Sequence, residues 1–209
     1  MTSVNLTVDE IPTTVPAGTT GLELFDGKRE VVAMRVNGES LDLFREIPDN
    51  ATVEAIMIDS EEGLSILRHS AAHVLAQAVQ EANPDVDLGI GPPIKDGFYY
   101  DFGVDEPFSP EDLKALEKAM ARIVKQGQTF ARRTVTDEQA REELADQPYK
   151  LELVDLKGGA SDDDGSSVEV GGDTLTMYDN VRRDGQVVWK DLCRGPHVPS
   201  MTEIGRASC

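Results

Sequence analysis

The three histidines of the chain, His69, His73 and His197, and its internal cysteine, Cys193, fall in two short motifs. In His69-Ser70-Ala71-Ala72-His73 the imidazoles stand four residues apart, so on a helix they project from one side, one turn apart. In Asp191-Leu192-Cys193-Arg194-Gly195-Pro196-His197 a thiol and an imidazole are also four apart. There Gly195-Pro196 forces a turn, and the two groups converge through loop geometry. Brought to one place, such groups bind a metal, relay protons or form a nucleophile pair, and the residue types leave all three open. A lone HxxxH is more often an ordinary pair of surface histidines. What points to one shared site is that every histidine lies in one of two motifs over 100 residues apart.

The elements that must position these groups are legible in part. From Ser60, Leu64, Leu67, Ala71, Val74, Ala78 and Ala82 recur at helical spacing, and Asn83-Pro84 stops the helix. With Leu67 as zero, the stripe Leu67, Ala71, Val74 and Ala78 lies within about 40°, while the histidines lie at roughly 200° and 240°. They do not fill this helix's main core face; they point to solvent or to a second surface. A second helix is expected after Ser109 as N-cap, with Pro110 in its first turn, a stripe of Leu113, Leu116, Met120 and Ile123, and Gly127 at its end. A third starts at Thr136 with Gln139 as capping-box partner. Strands are expected at Gly97–Phe102, Tyr149–Val154 and Val187–Leu192. Between the last two, Gly158–Asp173 is rich in Gly, Ser and Asp and reads as a mobile loop or an insertion into a hairpin. Helices interspersed with non-adjacent strands predict a two-layer α+β domain, helices on a mainly antiparallel sheet.

The first 60 residues have a different texture. Val4–Val8 alternates, Val31–Val36 ends at the turn signal Asn37-Gly38, Thr52–Met57 is a third run, and Thr19–Phe25 suits one short helix. Strands around one helix make a small α+β module.

Composition excludes several classes. No run approaches 18 consecutive apolar residues, and the start, MTSVNLTVDEIP, has neither a basic nor an apolar signal core. Two cysteines, Cys193 and Cys209, do not make a disulfide framework, which favours a reduced, intracellular setting. The small, polar ending Arg206-Ala207-Ser208-Cys209 reads as an interrupted rather than a natural terminus. Twenty basic against 39 acidic residues give a net charge of −19, which repels nucleic acid at long range. Composition alone argues against RNA as partner.

Three longer blocks overturn that prior. Leu67-Arg68-His69-Ser70-Ala71-Ala72-His73-Val74-Leu75-Ala76, then Ile90-Gly91-Pro92-Pro93-Ile94-Lys95-Asp96-Gly97-Phe98-Tyr99-Tyr100-Asp101-Phe102, then Asp191 to Pro199 resemble, in order and spacing, the bacterial threonyl-tRNA synthetase family. The likeness runs from about residue 60 to 207. Residues 1–60 are similar to that family's TGS domain, a β-grasp fold, through Val36-Asn37-Gly38-Glu39 and the hydrophobic pattern, and Asp26–Glu30 departs from it. Gly158–Gly185 is longer than in many relatives.

The resemblance implies a TGS domain over residues 1–60 and a C-terminally truncated editing domain over 61–209, which hydrolyses seryl-tRNA made in error. It places His69, His73 and Lys150 among the catalytic groups, with the lysine on a strand after Tyr149, and Asp191, Cys193 and His197 around the substrate. Arg194, next to the cysteine, is a candidate phosphate contact on the substrate side, with a structural salt bridge as the alternative. His73 or Lys150 is the expected base, and a protonated His69 or a charged Lys150 the expected oxyanion partner. Cys193 is not expected to be a nucleophile. Editing needs no cofactor on this reading, with zinc at His69, His73, Cys193 and His197 as the competing possibility. The full-length enzyme of that family uses ATP, magnesium and zinc, acts on tRNA(Thr) in the cytoplasm, and pairs as a homodimer through domains absent here. The alternatives are a non-catalytic binding module, as TGS domains are elsewhere, and a freestanding deacylase.

Overall fold

The computed structural model describes residues 2–156, 170 and 174–206. The protein is a mixed α+β chain, and its backbone divides into two compact units: Met1–Leu67 with Pro196–Pro199, and Arg68–Gly195 with the residues from Ser200 on.

The first unit is built on a five-stranded mixed sheet. Strand β1 (Ser3–Val8) turns into β2 (Ile11–Pro16), helix α1 (Gly21–Leu24) follows, and then β3 (Val31–Val36), β4 (Glu39–Leu41) and β5 (Thr52–Met57). The sheet order is β2-β1-β5-β3-β4, with β1 parallel to β5 and the other pairs antiparallel. Asn37 and Gly38 both take positive φ between β3 and β4, as a tight hairpin of this type demands. Sequence reasoning missed the edge strands β2, most of whose residues are exposed, and β4, which has only three residues, so both carry little hydrophobic signal. Leu6, Phe25, Val31, Met34, Val36 and Val53 fill the core.

Helix α2 (Glu61–Ala82) leads into the second unit. Two-residue strands β6 (Asp87–Leu88), β7 (Pro93–Ile94), β8 (Gly97–Phe98) and β9 (Phe102–Gly103) pair as β6–β9 and β7–β8. The single strand expected at Gly97–Phe102 is thus two fragments in separate ribbons. The backbone breaks at Tyr99–Asp101, where the Tyr100 ring turns in against Gly91, so tightly that a Cβ on that glycine would stand 2.3 Å from it. Helix α3 (Pro110–Gln126) has the expected ends: Ser109 and Asp112 close a reciprocal capping box, and Gly127 is left-handed at φ 62°. Strand β10 (Thr129–Val135) follows, and then α4 (Asp137–Glu143), capped by Thr136 and Gln139.

The next element corrects the sequence reading. Tyr149–Val154 is not a strand but lies within helix α5 (Pro148–Asp155). Its alternation mimics a strand, yet Lys150, Leu153 and Val154 are its buried residues, at i, i+3 and i+4, and Pro148 suits a helix's first turn. Strands β11 (Leu175–Val181) and β12 (Val187–Leu192) complete an antiparallel β10-β11-β12 meander, and α6 (Thr202–Arg206) packs on α3. Of the Gly158–Asp173 stretch all but Val170 lies outside the described residues, so the loop expected there is too. Sequence reasoning passed over β10 and β11, in which residues of both faces are buried or half-buried and the alternation is blurred.

Candidate active site

Helix α2 carries two faces. Its apolar stripe includes Leu67, Ala71, Val74 and Ala78, and the opposite side, with His69 at 3% and His73 at 0% exposure, is buried too. The second surface is therefore protein, not solvent. The two rings stand 4.9 Å apart, centre to centre and nearly perpendicular. His69 Nε2 lies 2.9 Å from Cys193 Sγ, so the early helix and the late turn meet. The turn is shaped by Gly195: its N–H donates to Cys193 Sγ at 3.2 Å, its φ is +73°, and a Cβ there would stand 1.9 Å from the Tyr178 hydroxyl. Only glycine fits. Thr176 anchors the strand end, accepting from the Cys193 N–H at 3.1 Å and donating its hydroxyl to the Cys193 carbonyl.

Beside this cluster sits a buried ion pair. Lys150 Nζ, from α5, lies 3.0 Å from Asp191 Oδ1 at the end of β12, the two side chains being 0% and 1% exposed. The Tyr100 hydroxyl donates to Asp191 Oδ2 at 2.8 Å, the Leu192 N–H donates to Oδ1 at 2.8 Å, and Lys150 Nζ stands 5.7 Å above the Tyr100 ring. Burial drives the Asp191 carboxyl above the usual carboxylate range, while the Lys150 charge and these hydrogen bonds pull the other way. Burial also lowers His69 to about 4; a hydrogen bond from its ring to the Gly91 backbone carbonyl opposes this, and the Lys150 charge adds to the lowering. At neutral pH His69 is therefore a neutral imidazole, which changes the expectation of a protonated His69.

The remaining predicted residues are also located. The ligand-capable atoms of His69, His73 and Cys193, all buried, lie within 4.8 Å of one another, and His197 is buried as well. The His197 N–H donates to Asp42 Oδ1 at 2.8 Å. Arg194 is exposed, and its carbonyl accepts weakly from the Tyr178 hydroxyl at 3.4 Å. Two imidazoles, a thiol and a third imidazole suit zinc by type. As arranged, the 2.9 Å contact of His69 Nε2 with Cys193 Sγ is a hydrogen-bond distance. Across a tetrahedral zinc those atoms stand about 3.5 Å apart. An ion held by these four residues would act as a Lewis acid only by giving up a ligand, because a filled set leaves no position for water.

Sequence reasoning missed three site residues. Tyr100 holds Asp191, Gly91 makes room for Tyr100, and Trp189 lies with its ring centre 5.5 Å from that of His73, at 90°. A signal for the helix side was present: at 100° per residue, Gln77 and Gln80 fall within about 40° of His73, a polar row on a helix that is otherwise apolar there.

No protein-family model matches the chain. Curated relatives do. The chain is 62% identical over 191 residues to a protein of Streptomyces coelicolor, 64% over 186 residues to one of Cutibacterium acnes, and 54% over 202 residues to one of Bifidobacterium longum. These alignments cover 91%, 89% and 97% of the chain but only 29%, 27% and 30% of the relatives. Identity at this level marks common descent, and the chain is homologous to part of an aminoacyl-tRNA synthetase. The relatives are threonine–tRNA ligases in each case, of whose length the chain spans under a third.

Proposed function

We propose that this chain is the proofreading region of a threonine–tRNA ligase and hydrolyses the ester of serine with the 3′-adenosine of tRNA(Thr). The observation that carries the reading is the meeting of His69 and His73 with Cys193 beside the buried Lys150–Asp191 pair. The chemical need is plain. Serine is threonine without one methyl, and a pocket rejects a ligand lacking a methylene by only about 1–3 kcal/mol. A second, hydrolytic sieve that admits serine and excludes threonine supplies the missing selectivity.

In the reaction, water oxygen bonds to the ester carbonyl carbon as its proton passes to a base, the tetrahedral intermediate collapses, and the proton is returned to the departing ribose oxygen. His73 is the base in this scheme. Lys150, paired with Asp191, enters as fixed positive charge for the developing oxyanion rather than as a base. Asp191 Oδ1 is engaged by Lys150 and Leu192 and Oδ2 by Tyr100, and a carboxylate oxygen with one such bond keeps acceptor capacity for the serine ammonium or hydroxyl. Neutral His69 and Cys193 wall the amino-acid pocket, and exposed Arg194 is a phosphate contact near the tRNA end. No step requires a metal. On the same reading the β-grasp-like first unit is a TGS domain, and the rest of the polypeptide attaches threonine to tRNA(Thr) with ATP and magnesium, as a cytoplasmic homodimer.

Deacylation of seryl- and threonyl-tRNA tests this. Seryl-tRNA is released and threonyl-tRNA spared, and His73→Ala slows release by about 10²- to 10⁴-fold. Equal release of both amino acids removes the sieve; a His73→Ala rate near the parent's removes the base.

A further inference from the structure

His73 is enclosed by rings: His69 at 4.9 Å, Trp189 at 5.5 Å and Phe130 at 6.3 Å between centroids, at 75°, 90° and 83°. Two of those rings belong to one rung of the sheet. Phe130 on β10 pairs with Asn180 on β11, and Asn180 pairs with Trp189 on β12. Every member of the rung is tied to the polar row of α2 that begins at His73. Asn180 Nδ2 donates to Gln77 Oε1 at 2.8 Å, and Trp189 Nε1 donates to Gln80 Oε1 at 2.7 Å. Gln77 Nε2 in turn donates to Glu81 Oε1 at 2.9 Å, and Arg122 binds the same carboxylate. The chain of bonds runs from the buried rung to the surface.

This arrangement exceeds what packing asks for. An apolar residue at 77 or 180 would fill the same buried space without desolvating amides, and Asn180 is fully buried with its Oδ1 lacking a partner among the described residues. Polar bonds differ from apolar contact in direction: they fix the register and rotation of a helix against a sheet. The indole is held through its N–H by Gln80 and stands with its ring at 90° to the imidazole seven residues earlier on the same helix, which closes a loop from helix to strand and back.

We propose that Trp189, clamped by Gln80, is a positioning residue that sets the orientation of the His73 imidazole for its part in hydrolysis. The inference rests on the functional reading above for its consequence, but not for its geometry. Gln80 and Trp189 touch no reacting atom; they act through His73. A base misplaced by a fraction of an ångström loses rate while the pocket that binds the amino acid is left intact.

Two variants isolate the clamp. Gln80→Met keeps the volume and removes the acceptor, together with the Nε2–H that donates to the Val86 carbonyl at 3.1 Å; Gln80→Glu loses the same donor but keeps an acceptor at the same reach, so the comparison of the two separates the bond to Trp189 from the bond to Val86. Trp189→Phe, which keeps a ring without the N–H, guards against a failure of Gln80→Met to fold. On the full chain, Gln80→Met and Trp189→Phe lower kcat for seryl-tRNA release by about tenfold with KM unchanged, and Gln80→Glu stays within about twofold of the parent. In NMR spectra at fixed neutral pH, the ring protons of His73, next to the chain's one tryptophan, move in Gln80→Met and stay in place in Gln80→Glu. A folded Gln80→Met protein with unmoved His73 ring resonances overturns the proposal, as does a kcat within twofold of the parent. A parent chain that releases no serine sinks the functional reading instead, and the resonance comparison still decides whether the clamp exists.

Discussion

At the scale of single residues, the site joins groups that water normally keeps apart in charge. His69 is neutral because burial penalises its cation and the nearby Lys150 adds repulsion. The sign of the consequence follows from linkage. In the unfolded chain the imidazole takes up a proton near its ordinary 6.5, and in the folded protein only near about 4. Its contribution to stability is therefore fully present above pH 6.5 and is lost as pH falls from there toward 4, by about 3 kcal/mol in all. Urea unfolding at pH 7, 5.5 and 4.5 should show a shallower decline for His69→Gln than for the parent. Parallel declines would mean that His69 is not buried as a neutral ring.

At the scale of elements, the sheet and its helices are held by different means on different sides. The side toward α2 is aromatic and amide-rich; elsewhere on the meander an ion-pair network ties β10, β11, β12 and α4. Arg133 forks onto Glu143 with 2.7 Å bonds and reaches Asp179 at 2.8 Å, and Lys190 joins Glu143 at 2.7 Å. The Arg133 hydrogen bonds, with Lys190 beside them, pull Glu143 down to about 2 against a modest cost of burial. The network thus contributes stability above the ordinary carboxylate range, near pH 4.5, and loses it as pH falls toward 2. Arg133→Met should cost about 1 kcal/mol at pH 7, allowing for solvent screening of a partly exposed cluster. The cost should shrink toward zero at pH 2 in thermal melts. A cost unchanged at low pH would assign the effect to lost packing of the arginine stem.

For the whole molecule, net charge is the governing quantity. At −19 the chain repels itself and repels RNA. Among the described residues no helix is long and apolar enough to cross a membrane. Screening weakens self-repulsion with a Debye length of about 30 Å at 0.01 M salt and 8 Å at 0.15 M. The urea midpoint should accordingly rise between those concentrations, the reverse of what salt does to the Arg133 network. A midpoint that falls would make local ion pairs the dominant electrostatic term.

How much of this was legible beforehand differs by residue. The helix bearing His69 and His73, the capped starts at Ser109 and Thr136, the strand through Trp189 and the turn at Gly195 all follow from local rules: periodicity, capping chemistry and the conformational limits of glycine and proline. Those rules act within a few residues, so one sequence suffices to read them. Lys150 was assigned to a strand because alternation over six residues fits both periods, and only the packing of Leu153 and Val154 beside it selects the helix. Tyr100, Gly91 and Asn180 gave no local sign of a role, and Gln77 and Gln80 gave only the polar row that they make with His73. Their bonds span 91 residues from Tyr100 to Asp191 and 103 from Asn180 to Gln77. By itself, then, the sequence determined which chemical groups were available and which short elements carry them. The tertiary structure alone decided that the histidine side of α2 faces a sheet rather than water, and that burial makes His69 neutral and pairs Lys150 with Asp191. The physical reason is that pairing and desolvation depend on neighbours in space, which the order of residues along the chain does not specify.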